Sequence, residues 1–137
     1  MRFMILVKAM AQTEAGALPD PEIGMQMVKY HEELARAGVL LDCSGLHPTS
    51  RGWRIQYSGD RRVVMDGPFT ESKELIAGYT MIQVKSREEA LEWTHRFPNP
   101  AGPGREAHIE VRQLFDLEEL GQDEWVDRFR QLGMGGS

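Results

Sequence analysis

The period of the hydrophobic positions changes along the chain, and each change marks an element. Phe3-Met4-Ile5-Leu6-Val7 is a continuous apolar run, the pattern of a strand buried on both faces. A loop rich in Ala and Gly is expected from Ala9 to Pro19. Asp20-Pro21-Glu22 then supplies an N-cap, a first-turn proline and an acid at the positive end of the dipole. Ile23, Met27, Tyr30, Leu34 and Ala37 follow at helical spacing, with Lys29, Glu32, Glu33 and Arg36 mainly opposite, and Gly38 closes the helix. Val39 to Cys43 predicts a second strand, ended by Ser44-Gly45. Trp53-Arg54-Ile55-Gln56-Tyr57 alternates with period two, which predicts a half-buried strand; Ser58-Gly59-Asp60 turns it into Arg62-Val63-Val64-Met65 as a hairpin. Asp66-Gly67-Pro68 stops that strand, because proline has no N–H and drives its predecessor away from the α region.

Gly78 to Val84 predicts another strand. Ser86-Arg87-Glu88-Glu89 is a capping box, and the helix it opens carries Ala90, Trp93, Thr94 and Phe97 on one side until Pro98 stops it. Ala107 to Leu114 is the last predicted strand. Asp116 to Gln131 is acidic and partly helical, with Leu120, Trp125 and Phe129 as its expected anchors, and Gly133 to Ser137 is expected to fray. The order βαβ, hairpin, βαβ predicts a ferredoxin-like α+β fold with both helices on one face of the sheet. The division is a domain over residues 1–120 and a helical extension over 121–137. The bare face needs a cover, and a second copy of the chain is the simplest, so a homodimer is expected.

Composition adds limits. The chain has 137 residues, 41% hydrophobic and 27% charged, enough for one core under an ordinary polar surface. Its formal net charge of −5 argues against nucleic acid. Arg51, Arg54, Arg61 and Arg62 form the only loose basic cluster, which a solvated hairpin explains. No apolar stretch approaches the length of a membrane span, and the apolar run at the start is too short for a signal peptide. Cys43 is the single cysteine, so no internal disulfide forms; a cytoplasmic location is expected, and Cys43 is expected to be a small buried residue.

Candidate chemistry is sparse. His31 sits at the shoulder of the first helix's apolar stripe, and histidine is the usual general base near neutral pH. Alternation puts Ile109 and Val111 on the helix side of the last strand and His108, Glu110 and Arg112 on the other, where Glu110 and Arg112 can pair or meet a ligand. Asp66, Glu71 and Glu74 crowd one turn, with Lys73 as anion contact or proton donor. Each of these residues also has a structural role open to it: packing, an ion pair, or a turn cap. His47 is expected in a loop and His95 on a polar helix face. The four histidines have no metal spacing, and no phosphate loop, nucleophile elbow or dinucleotide fingerprint is present, so neither metal nor cofactor is expected.

Asp66-Gly67-Pro68-Phe69, followed by Glu71 and Lys73-Glu74, resembles the signature of the YCII-related, or DGPF-domain, family. Tyr30-His31-Glu32-Glu33-Leu34, Ala37-Gly38-Val39-Leu40, Gly45-Leu46-His47-Pro48, Gly78-Tyr79, Glu89-Ala90-Leu91-Glu92-Trp93 and Ile109-Glu110-Val111-Arg112 are similar to the family's blocks, in the family's order, across roughly residues 1–120. The resemblance implies a ferredoxin-like protomer pairing into a dimeric α+β barrel. It implies a cleft between the protomers that binds a small polar molecule, with His31 and Asp66 as an acid–base pair; Glu71, Lys73, Glu110 and Arg112, read from the turn and the last strand, are the expected ligand contacts there. It also implies an alternative: a non-catalytic partner of another protein, such as an extracytoplasmic-function sigma factor.

Overall fold

The computed structural model describes residues 1–70 and 74–134. In chain order they form β1 (Arg2–Lys8), α1 (Ala11–Glu14), α2 (Pro21–Arg36), β2 (Leu40–Gly45), β3 (Trp53–Ser58), β4 (Arg61–Asp66), β5 (Ile76–Gln83), α3 (Arg87–His95), β6 (Ile109–Gln113) and α4 (Glu124–Gln131). Short 3-10 turns cover Thr49–Arg51 and Leu117–Leu120. Strands β2, β5, β1 and β6 lie side by side in that order, all neighbours antiparallel, which is the strand arrangement of a split βαβ pair.

Local signals start and stop the helices as read. The Asp20 carboxylate accepts from the Glu22 N–H at the start of α2, and Gly38 takes the left-handed conformation (φ 73°) just past its end. Ser86 accepts from the Glu89 N–H, while the Glu89 carboxylate reaches back to the Lys85 N–H. Both helices put their apolar faces on one side of the sheet. Tyr30 and Leu34 of α2 and Ala90 of α3 form the core with Phe3, Ile5, Val39, Ile82 and Val84, and Trp93, Phe97 and Ile109 pack around it. Each fully buried Ile or Leu contributes ~1.5–3 kcal/mol by burial alone.

The even positions of β1 differ from expectation. Met4 and Leu6 are only half-buried, because they face the side of the sheet that carries neither helix. Their register neighbours are Met81 and Tyr79 on β5 and Arg112 and Glu110 on β6. The C-terminal chain touches one end of this face: the Leu114 N–H donates to the Arg2 carbonyl, and the Arg2 guanidinium donates to the Phe115 carbonyl at 2.7 Å and lies 3.7 Å from Asp116.

Three further expectations are corrected. The loop after β1 contains a helical turn, α1, opened by the Met10 N–H donating to Thr13 Oγ1 and closed by that hydroxyl donating to the Met10 carbonyl. In the C-terminal segment the buried anchors are Leu117 and Val126, whereas Trp125 and Phe129 form an edge-on ring pair at 6.1 Å that stays about half exposed. The strands β3 and β4 are exposed at every position rather than half-buried, since they pair only with each other and form a separate two-stranded ribbon. The expected fraying of the last residues falls on 135–137, outside the described residues; Gly133 and Met134 bond back to Arg130 and Phe129.

The ribbon is held to the body at its root. The Gly67 N–H donates to the Gly52 carbonyl, and the Phe69 N–H donates to Thr49 Oγ1, each at 3.0 Å. Thr49 in turn donates its N–H (3.0 Å) and its hydroxyl (2.6 Å) to the two oxygens of Glu14 on α1. A Cβ on Gly67 would overlap the Thr49 carbonyl, so the signature glycine is required by a close backbone approach. The Arg54 guanidinium lies 3.7 Å from the Phe69 ring centre, covering the apolar side of the same turn.

Two measurements check this packing. Gly67→Ala is expected to lower the unfolding free energy by ~1–3 kcal/mol, the usual cost of forced overpacking, in urea titration. The Tyr30 hydroxyl donates to the Trp93 carbonyl at 2.6 Å and ties α2 to α3. Burial pushes its pKa from the usual 10.0 up to about 12, with Arg96 lowering it in part. Folding therefore favours the protonated phenol. The stability this contributes is complete below pH 10.0 and is lost as pH rises through about 12. Tyr30→Phe is expected to remove this share of the alkaline fall in the urea midpoint.

Candidate functional site

Sheet, helix and loops leave one large cleft on the helix side. Its volume is about 1090 Å³, the size of a small-molecule site. The floor is the end of the sheet, where Cys43, Gly45, Gly78 and Thr80 share one face by register. Small residues make the space. A Cβ on Gly45 would meet nothing closer than 4.0 Å, whereas Gly78 must also stay small because its Cβ would lie 3.0 Å from the Ser44 carbonyl. One wall is α2, through Ile23, Gly24, Met27 and His31; α1 and the loop to Asp20 form a second, and Phe97 with the Pro100–Pro103 loop forms the third. Gly24 is informative here. A glycine inside a helix costs up to ~1 kcal/mol against alanine, and at this first-turn position of α2 a Cβ would touch nothing within 4 Å. Packing does not require the glycine; the open width of the cleft is what it preserves.

His31 is the best-positioned titratable group in this space. Nδ1 lies 2.7 Å from the Met27 carbonyl, and a carbonyl can only accept, so Nδ1 carries the proton. In the neutral ring Nε2 is then the lone-pair nitrogen, and it accepts from the hydroxyl of Thr80 at 2.8 Å. Tyr30 and Phe97 hold the ring edge-on, with centroids at 5.6 and 6.1 Å. A base oriented by a second acceptor, next to a hydroxyl within hydrogen-bond reach, is the geometry used to take a proton from an alcohol or a bound acid. The alternation of Tyr79-Thr80-Met81 carried the signal for Thr80: a hydroxyl at an inward strand position, buried among apolar neighbours.

The other expected site residues lie elsewhere. Asp66 ends β4 opposite Trp53, is exposed, and is not among the residues lining the cleft. Glu71 and Lys73 fall outside the described residues. Glu110 and Arg112 stand on the opposite face of the sheet from the cleft. There Lys8 Nζ lies 3.1 Å from Glu110 and Arg112 3.6 Å from it. The hydrogen bond from Lys8, with its charge and that of Arg112, holds the Glu110 carboxyl below its usual range. On the same face the Tyr79 hydroxyl donates to Asp42 at 2.9 Å, a bond that raises the phenol's pKa. Cys43, expected to be buried, is exposed on the cleft floor because β2 is the edge strand there. His47 stands at the cleft margin, where the Arg51 guanidinium reaches its ring at 3.2 Å. Among the described residues no group of three or more His, Cys, Asp or Glu is placed to hold a metal ion, and no helix is long and apolar enough to cross a membrane.

These features define an antiparallel α+β protein with a pocket between its first long helix and its sheet. The chain belongs to the YCII-related domain family, whose model matches residues 1–118. An uncharacterized protein of Rhizobium meliloti (strain 1021) is 32% identical over 95 residues, 69% of this chain and 75% of that one. Among solved structures, the 5-chloro-2-hydroxyhydroquinone dehydrochlorinase of Burkholderia phenoliruptrix AC1100, in complex with 2,5-dihydroxybenzoquinone, aligns over 85% of this chain and 95% of its own. Identity there is 13% and the TM-score 0.43, too low to carry an argument about either fold or function.

If Gly24 is kept for the width of the cleft, Gly24→Ala has an opposite sign from Gly67→Ala. It is expected to raise the unfolding free energy by ~0.5–1 kcal/mol through helix propensity, measured by urea titration.

Proposed function

We propose that this protein is a homodimer that binds a small polar molecule in the helix-side cleft of each protomer, rather than in the expected cleft between protomers, with His31 as the proton acceptor. The observation that carries the reading is the pair of bonds on His31: Nδ1 spent on the Met27 carbonyl, Nε2 turned to the Thr80 hydroxyl on the cleft floor. A ligand with an acidic proton can replace the threonine hydroxyl at Nε2, or receive the proton back through it. The half-buried Met4, Leu6, Tyr79 and Met81 on the helix-free face support dimerisation, and pairing of two such faces would give the dimeric barrel. The expected pairing of His31 with Asp66 needs Asp66 to approach the cleft from its place on the ribbon. A second reading, a non-catalytic partner of another protein such as an extracytoplasmic-function sigma factor, draws on the exposed apolar ribbon.

A thermal-shift screen against small polar metabolites tests the first reading, using wild type, His31→Ala, Thr80→Val and Asp66→Asn. A ligand at a hundred times its Kd stabilises the fold by ~2.7 kcal/mol. Such hits are expected to vanish in His31→Ala and to weaken at least tenfold in Thr80→Val. Loss in Asp66→Asn as well supports the histidine–aspartate pair; retention assigns proton transfer to His31 without it. Hits unchanged by both the His31 and Thr80 substitutions place the ligand elsewhere and overturn the reading.

A further inference from the structure

The β3–β4 ribbon is tied to the body at its root, but its strands pair only with each other and are exposed at every position. An isolated two-stranded hairpin is marginal in water at best, yet this one exposes Trp53 at 65%, Ile55 at 46%, Tyr57 at 65% and Val64 at 63%. The register puts all four on one face: Trp53 opposes Asp66, Ile55 opposes Val64, and Tyr57 opposes Arg62. A second surface of the same kind lies in the C-terminal segment, where Phe115 (67%), Trp125 (47%) and Phe129 (45%) are open. The two segments differ in charge. The ribbon's apolar face carries Arg62 and Asp66, with Arg54 and Arg61 on its other face, whereas residues 116–127 hold six carboxylates and no lysine or arginine. Glu118, Glu119 and Asp123 are all exposed.

We propose that the β3–β4 ribbon of one protomer docks on the C-terminal segment, Phe115 to Phe129, of a second copy, and that the two-fold axis repeats the contact reciprocally. The inference rests on the homodimer reading and adds a second contact to the pairing of the helix-free faces. Both halves of the contact exist on one chain, so a two-fold pairing uses each twice and leaves neither exposed. At ~150–250 Å² per aromatic side chain, the five aromatics at these exposures present on the order of 500 Å² per protomer. The aliphatic neighbours bring that close to the ~800 Å² a stable interface takes from each partner. The arginines of the ribbon and the carboxylates of Leu117–Leu120 form the polar rim, which fixes register and excludes wrong pairings.

Reciprocal charge reversal tests this, read by sedimentation velocity at micromolar concentration. Wild type is expected to be a dimer. R61E/R62E and E118R/E119R, all at exposed positions, are each expected to weaken it at least tenfold; the chain carrying all four changes is expected to recover it. If wild type is a monomer, the homodimer reading falls and this inference with it. If wild type is a dimer and either reversed chain remains as tight a dimer, or the fourfold chain fails to recover, the dimer stands and the docking surfaces are overturned. Recovery by R61E/R62E only on adding a different protein also overturns it, in favour of a heterologous partner.

Discussion

Thr49 holds the molecule's two unlike parts together. Its hydroxyl is used in both directions, donating to Glu14 on α1 and accepting from the Phe69 N–H at the ribbon root. Its N–H also goes to Glu14, and its carbonyl lies where Gly67 alone leaves room. A charge-assisted pair of bonds on one carboxylate is stronger than two neutral ones, so the clasp links a ribbon that has no core of its own to a turn that walls the cleft. The family signature is thus a structural joint first: its glycine makes room for the Thr49 carbonyl and its phenylalanine N–H donates to the Thr49 hydroxyl.

The cleft follows from what the sheet leaves unfilled. Core packing ends near Ile5 and Ile82, and along β5 the next inward positions are Thr80 and Gly78, with Gly45 opposite Gly78 on β2. The large side chains stop where the small ones begin, and α2 continues over both regions. His31 stands at the boundary: Tyr30 and Phe97 pack its ring, while its Nε2 accepts from the Thr80 hydroxyl on the cleft floor. The same helix packs the core through Tyr30 and Leu34 and lines the cleft through His31, one residue from Tyr30.

The fold was largely legible because its signals are local. Asp20 and Ser86 cap as read, Gly38 ends α2, and the inward Ile109 and Val111 can be assigned from alternation alone. The helical turn at Ala11–Glu14 was not legible, because its opening depends on one threonine hydroxyl and its place on Thr49, far along the chain. The expected half-burial of β3 failed for a related reason: period two shows that a strand has an apolar face but not what that face packs on. For the site, His31 was legible from its place on the helical stripe. Thr80 was missed although the alternation of its strand marks an inward hydroxyl, and Gly24 was not legible, since empty space has no linear pattern. Asp66 illustrates the converse, a conspicuous residue in a conspicuous motif that lines no part of the cleft.

The solitary thiol has a practical meaning. Cys43 stands exposed on the cleft floor, on the same face as its register partner Thr80, and no other sulfhydryl exists in the chain. The molecule therefore carries a built-in, single-point reporter beside its candidate base. The rate at which a small thiol reagent modifies it reads out, on unaltered protein, whether the hollow is empty, occupied or closed.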